Sequence, residues 1–330
     1  MAVSYAGAQF LVNACRDGVN FERTLTLGRQ DLIASPILLT RLLKRNGLLT
    51  DPAAFRKEIT RWPYRADRLF NALGTRELSF MDNTPYEGAN VLHDLNDPVP
   101  GALHKRYDVV VDSGTLEHVF NFPVALKSTM EMVAVGGHAI FLTPTNNMPG
   151  HGFYQFSPEL YHQALSRENG YRVERMLAIE DELVRAWILG RVPVAVQAQR
   201  GAYEIPAPPP STEFGERIEF TTTRPTHLFV LASRLENVPV LVSPPQQAIY
   251  RALWDKSASG EESASGPVPR PLNPQGRAAG LGLSVALHLA FGGVGRMLRP
   301  FRSLAVSRHY RSMRLNRQRR GIKRSDQIEL

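Results

Sequence analysis

The run Tyr107-Asp108-Val109-Val110-Val111-Asp112 constrains the fold more than any other stretch of this chain. Three consecutive valines have no amphipathic period, so the segment suits a strand covered on both faces, and such strands belong to parallel sheets sandwiched between helices. The rest of the sequence supplies the partners. Apolar runs at 24–27, 77–82, 90–94, 138–143, 171–179 and 226–233 read as further strands. Helical patterns at 32–43, 52–60, 66–73 and 123–133 lie between them, and Ser157-Pro158-Glu159 opens one more helix with an N-cap, a first-turn proline and an acid. This alternation predicts an α/β fold: a doubly wound, mainly parallel, seven-stranded sheet.

With 43% hydrophobic residues, a chain of 330 residues can fill a sizeable core. The expected division is a folded domain over 1–254 carrying a Pro-rich insertion at about 180–225, a Ser/Gly/Pro-rich linker at 255–277, and a flexible C-terminal extension over 278–330. The extension begins with 18 uncharged residues containing five glycines, and an arginine-rich tail follows. The formal charge of +8 belongs to that tail, since 11 of the 39 basic residues but only 2 of the 31 acids lie in 296–330. Residues 278–324 therefore read as a segment for peripheral contact with anionic lipid. Nucleic acid is not an expected partner, because Phe301 and Tyr310 are the tail's only aromatic residues and make no stacking platform. A single cysteine, Cys15, excludes a disulfide framework and a cysteine-held zinc, and no metal is expected. The first twenty residues have no basic start and long apolar stretch, so the expected location is the cytoplasm, with the inner face of the membrane as a peripheral site.

In an open parallel sheet the ligand crevice lies beyond the carboxyl ends of the strands. The residues placed there are Gly28, Asp82, Asp94, the stretch from Asp112 through Gly114 and Glu117 to His118, and the loop 144–154. Carboxylates gathered at such an edge accept hydrogen bonds from hydroxyl and amino groups, which suits a ribose, an adenine amino group or a cation better than a phosphate. The phosphate cradle GxxxxGK[ST] is missing. The loop Thr145-Asn146-Asn147-Met148-Pro149-Gly150-His151-Gly152-Phe153-Tyr154-Gln155-Phe156 is dense in aromatic and titratable groups. As an acceptor site it would use His151 or His118 to take a proton and Tyr154 to orient the substrate.

The segment from Tyr107 to Val119, Tyr-Asp-Val-Val-Val-Asp-Ser-Gly-Thr-Leu-Glu-His-Val, resembles the fourth-strand segment of class I (Rossmann-like) S-adenosylmethionine-dependent methyltransferases. Val135-Gly136-Gly137-His138-Ala139-Ile140-Phe141 resembles the turn into their fifth strand. The likeness runs from about Thr24 to Ser233. It implies S-adenosyl-L-methionine as cofactor, with Asp82 at the ribose hydroxyls, Asp94 at the adenine, and Gly28, Asp112, Gly114 and Glu117 completing the seat. It also implies methyl transfer to oxygen or nitrogen of a small-molecule, glycan or lipid-linked acceptor. The family's first loop, an acid followed by GxGxG, is reduced here to Thr26-Leu27-Gly28-Arg29-Gln30-Asp31. Only Gly28 remains, and Asp31 is the expected substitute carboxylate for the cofactor's amino group.

Two other functions compete. A nicotinamide-dependent oxidoreductase would need GxGxxG after the first strand and an acid about twenty residues on, and neither is present. A non-catalytic binding or scaffold protein with the same fold is favoured by the altered first loop. Oligomeric state leaves no mark on the sequence.

Overall fold

The computed structural model describes residues 2–60, 65–183, 197–205, 222, 224–248, 250–251 and 254–255. The linker expected at 255–277 and the extension at 278–330 lie outside them, apart from Asp255. A division of the chain falls between Ile249 and Tyr250, and the following concerns the unit before it.

Its centre is an eight-stranded sheet. In chain order the strands are β2 (Arg23–Leu27), β4 (Glu77–Asp82), β5 (Val91–Leu92), β6 (Tyr107–Asp112), β7 (Val133–Asn146), β8 (Tyr171–Leu183), β9 (Gln197–Glu204) and β10 (Thr226–Arg234). Across the sheet the order is β5-β4-β2-β6-β7-β10-β8-β9. The pairs from β5 to β7 are parallel, and β10 is antiparallel to both β7 and β8. The expected doubly wound, mainly parallel sheet is thus present. The eighth strand, β9, lies inside the expected insertion and forms an antiparallel pair with β8. Its sequence, with Gln197, Gln199, Arg200 and Gly201, carries too weak an alternation to announce a strand.

Side chains alternate across the sheet as the period of two requires. From β6, Val109 and Val111 join one apolar core with Phe10, Leu39, Leu43 and Phe70. Val110 joins the other, with Phe122, Leu126 and Tyr161, and Tyr107 joins that side across the register shift between it and Val109. Helices α1 (Tyr5–Arg16), α2 (Pro36–Arg45), α3 (Pro52–Ile59) and α4 (Asp67–Ala72) cover the first face, and α5 (Phe122–Met132) and α6 (Pro158–Ala164) cover the second. The unbroken valines are therefore a two-sided strand.

Three local departures matter. The N-terminal segment, which pattern reading left unassigned, forms β1 (Ala2–Ser4) and α1. The Ser4 hydroxyl accepts a hydrogen bond from Gly7 N–H at 3.0 Å as N-cap, and Phe10, Leu11 and Val12 are buried. The helix expected at 32–43 begins only at Pro36. Asp31–Ile33 is a short strand, β3, parallel to β1. The proline explains the boundary, because Pro disfavours helix in the residue before it and is well placed in a first turn. The third strand is shorter than the expected 90–94, so Asp94 stands two residues beyond its end. The helix opened by Ser157-Pro158-Glu159 forms as read, with Ser157 Oγ accepting from Leu160 N–H at 3.3 Å.

Candidate functional site

The chain leaves β2 for β4 and β5 on one side and returns to β6 and β7 on the other. The switch point therefore lies at the carboxyl ends of β2 and β6, where a crevice is expected. Gly28, just past β2, has φ of +70° and donates its N–H to the Met81 carbonyl at 2.6 Å. The bulky residues of the turn are accommodated in two ways. Arg29 points away: its guanidinium pairs with Asp67 at 2.6 Å, donates to the Glu87 carbonyl and lies 4.8 Å from the Phe80 ring centroid. Gln30 folds beneath the turn, buried, with Nε2 donating to the Leu27 carbonyl at 2.6 Å.

A cavity of about 360 Å³ opens at the ends of β4 and β5, with Met81, Asp82, Asp94, Asn96, Thr115 and His118 among its lining residues, and Gly28 is not one of them. The carboxylate that ends β4 and the one just past β5 thus line one cavity. Each uses Oδ1 on its own turn. Asp82 accepts from Thr84 N–H at 3.3 Å, and Asp94 accepts from the backbone N–H and side-chain amide of Asn96 at 2.9 and 2.8 Å. The bonds from Asn96 hold the Asp94 carboxyl below its usual range. Asn96 also joins the wall to the start of α5, accepting from Asn121 N–H on Oδ1 and from the Asn121 amide on its carbonyl, both at 2.9 Å. Thr115 lines the cavity too, its hydroxyl donating to the Leu27 carbonyl at 2.6 Å.

Asp31 does not join this wall. It pairs with Arg65 at 2.9 Å in β3, outside the cavity lining. Its place in the chain, three residues after Gly28, suggested proximity. The intervening turn instead carries it away from the sheet edge to the β1 pairing.

Beneath the cavity, Asp112 and Glu117 are fully buried. Asp112 Oδ1 accepts from the N–H groups of Thr115 and Leu116 at 2.9 and 3.4 Å, in a turn where Gly114 has φ of +90°. Its Oδ2, and both carboxylate oxygens of Glu117, have no hydrogen-bond partner among the described residues. Burial pushes both carboxyls up, and the charge of Asp112 raises Glu117 further. His151 Nε2 stands 3.2 Å from Glu117 Oε1 and His118 Nε2 4.0 Å from the same oxygen. The two imidazole rings are 5.3 Å apart between centroids. Partial burial lowers the pKa of both histidines, and for His151 the neighbouring His118 adds to this.

The loop after β7 brings His151 here by clamping onto the backbone of Glu117, whose carbonyl accepts from Phe153 N–H at 2.7 Å and Tyr154 N–H at 3.2 Å. Tyr154 is part of this clamp. Its hydroxyl donates to the Phe120 carbonyl at 2.7 Å, its ring packs against Phe122 and Phe156, and it is not among the cavity-lining residues. That position suits holding the loop better than orienting a substrate. Of the two histidines singled out in the sequence, His118 lines the cavity and His151 stands behind it, beside Glu117. Pattern reading missed Asn96 and placed Thr115 in the stretch at the crevice without a role. The Asp94-Leu95-Asn96 turn was a usable signal for the first, whereas nothing local marks Thr115 as the link to β2. The argument from cysteines also passed over the convergence of Glu117, His118 and His151.

No family model and no curated protein matches the chain. Among solved structures it is similar to TehB from Haemophilus influenzae at 14% identity, over 68% of this chain and 61% of that one, with a TM-score of 0.33. It is also similar to an S-adenosylmethionine-dependent methyltransferase from Thermotoga maritima described as a possible histamine N-methyltransferase, at 10% identity over 69% and 89% of the two chains, TM-score 0.34. A third is a putative methyltransferase from Bacillus halodurans, at 8% identity over 70% and 99%, TM-score 0.36. The chain thus spans less than two thirds of the length of TehB. At these values the likeness concerns the fold, and function has to be read from the site.

Proposed function

We propose that this protein binds S-adenosyl-L-methionine in the cavity lined by Asp82 and Asp94 and transfers its methyl group to an oxygen or nitrogen acceptor. One observation carries the reading: Asp82, which ends β4, and Asp94, just past the neighbouring β5, line a single cavity of about 360 Å³ at the switch point of a doubly wound sheet. That volume lies within the range of ordinary ligand pockets. The donor set fits an adenosine, since carboxylates at this edge take hydrogen bonds from ribose hydroxyls and an adenine amino group, and the wall carries no phosphate cradle.

When bound, the cofactor supplies an already activated methyl group. The chain's own contribution is then chiefly to hold, orient and keep water out. Asp82 would hold the ribose hydroxyls and Asp94 the adenine. The Asn96 to Asn121 bonds fix the wall that carries Asp94, and Thr115 ties the lining to the end of β2. His118 marks the face that an acceptor approaches. Phe120 and Phe153, 72% and 67% exposed and in edge contact at 5.9 Å, offer an apolar surface near that face. Aromatic or lipid-linked acceptors suit it.

Calorimetric titration of the full chain with S-adenosylhomocysteine tests this function. Saturable micromolar binding that is lost in Asp82→Ala supports it. Equal binding by the variant, or no binding by either, overturns it. In the second outcome the buried Gln30 side chain, which fills the space under the first turn, favours a non-catalytic binding protein instead. Among the described residues no helix is long and apolar enough to cross a membrane. The proposed lipid contact of 278–324 falls outside those residues.

A further inference from the structure

We propose that Glu117, His118 and His151 form a binding site for one divalent transition-metal ion at the inner wall of the cavity. One carboxylate oxygen and one ring nitrogen from each histidine lie within 4.8 Å of one another. Ligands about 2.1 Å from a zinc-like ion stand about 3.4 Å apart in a tetrahedral shell. The distances from Glu117 Oε1, 3.2 Å to His151 and 4.0 Å to His118, fall around that value. The two imidazoles, about half exposed, have room to turn through the remaining distance.

The burial of Glu117 is a separate observation that points to a cation. The side chain has no exposed surface, and neither of its oxygens makes a hydrogen bond. A buried carboxyl in that state either keeps its proton or gives it up for a coordinated ion, which then compensates the charge. The approach of His151 does not suffice, because at 3.2 Å it makes no hydrogen bond to the carboxylate. Asp112 adds a second buried acid with an unpartnered oxygen.

Two imidazoles and one carboxylate on one side of an ion form a donor set for first-row transition metals rather than for magnesium or calcium, which prefer oxygen ligands. Three protein ligands also leave positions open, as in catalytic rather than structural sites. The site borders the cavity, because His118 belongs to its lining. An acceptor hydroxyl bound to the ion would be held at that wall and would lose its proton to solvent more readily. This last role rests on the methyl-transfer reading, whereas the metal site itself does not.

The test uses tag-free full-length protein stripped with a chelator and titrated without cofactor, with Co²⁺ followed by its visible absorption and Zn²⁺ by calorimetry. One ion per chain is expected. Glu117→Gln and His151→Asn should each weaken binding at least about tenfold, roughly 1.4 kcal/mol. His138→Asn, a histidine of β7 beside Glu174, should bind as the wild type does. His151 is on an exposed loop, so that variant should keep its fold, which its melting curve verifies. Equal affinity in the wild type, Glu117→Gln and His151→Asn overturns the proposal, as does the absence of a one-to-one Co²⁺ signal. Titration of the metal-free protein with S-adenosylhomocysteine separates the two readings: cofactor binding without metal binding refutes only the metal site, and the converse refutes only the methyltransferase.

Discussion

Gly152 lies so close to Glu117 that a Cβ on it would stand 2.7 Å from the Glu117 carbonyl oxygen and 2.9 Å from its Cγ, and its φ is +80°. Both features demand glycine. The contact seats the loop after β7 on the turn after β6 and so brings His151 to the Glu117 carboxylate. Gly152→Ala should therefore destabilise the protein by roughly 1–3 kcal/mol, read as a lower melting temperature. It should also weaken Co²⁺ binding, since the loop can relieve the clash only by lifting His151 away.

Asp82 and Asp31 should separate cleanly in cofactor binding. Asp82 lines the cavity, and Asp31 is occupied by Arg65. Asp82→Ala is expected to lose at least about tenfold in affinity for S-adenosylhomocysteine, about 1.4 kcal/mol, while Asp31→Ala keeps wild-type affinity. Calorimetry on the two variants is the check. A loss in Asp31→Ala would mean that the β3 segment rearranges to reach the cofactor.

Asp108 gives a pH dependence of stability. Its carboxylate takes two bonds from the Arg23 side chain, at 2.6 and 3.0 Å, and one from the Arg23 backbone at 3.0 Å, which together hold its pKa below the usual value. A carboxyl lowered in the folded state stabilises above its unfolded pKa, and that contribution is lost as pH falls through the folded value. Asp108→Asn should therefore cost about 1 kcal/mol at neutral pH, limited by the partial exposure of Arg23. The two denaturation curves should converge in strong acid.

Arg234 is expected to be among the costliest side chains to remove. It is 2% exposed at the end of β10, and its Nη1 donates to the carbonyls of Met130, Glu131 and Val133, at 3.1, 3.2 and 2.7 Å. These are acceptors at the C-terminal end of α5 that the helix itself leaves open. The Tyr171 hydroxyl donates to the Met130 carbonyl at 2.6 Å beside it. Arg234→Met should destabilise by about 3 kcal/mol by stranding buried carbonyls, and Arg234→Lys should restore only part of this. Chemical denaturation measures both.

Much of the fold was legible because its signals are local. The boundaries of β4 and β6 follow from apolar runs closed by aspartates, and α6 follows from Ser157 and Pro158. The start of α2 was misread because a continuous apolar pattern outweighed Pro36, whose rigid ring set the boundary. The strands β1 and β3 are three residues each and exist only as a pair, so neither carries a pattern of its own.

The sequence by itself determined the alternation of strands and helices, the two-sided burial of β6 and the placing of acids just after β4, β5 and β6, since each depends on period and punctuation within a few residues. Only the tertiary structure decided which of those acids meet. Asp82 and Asp94 line one cavity because β4 and β5 pair in parallel, Asp31 is lost to Arg65, 34 residues away, and Glu117 gains His151 because a glycine lets a distant loop settle on its backbone. Such meetings depend on close approach between segments remote in the chain, and that is fixed by packing rather than by any pattern along it.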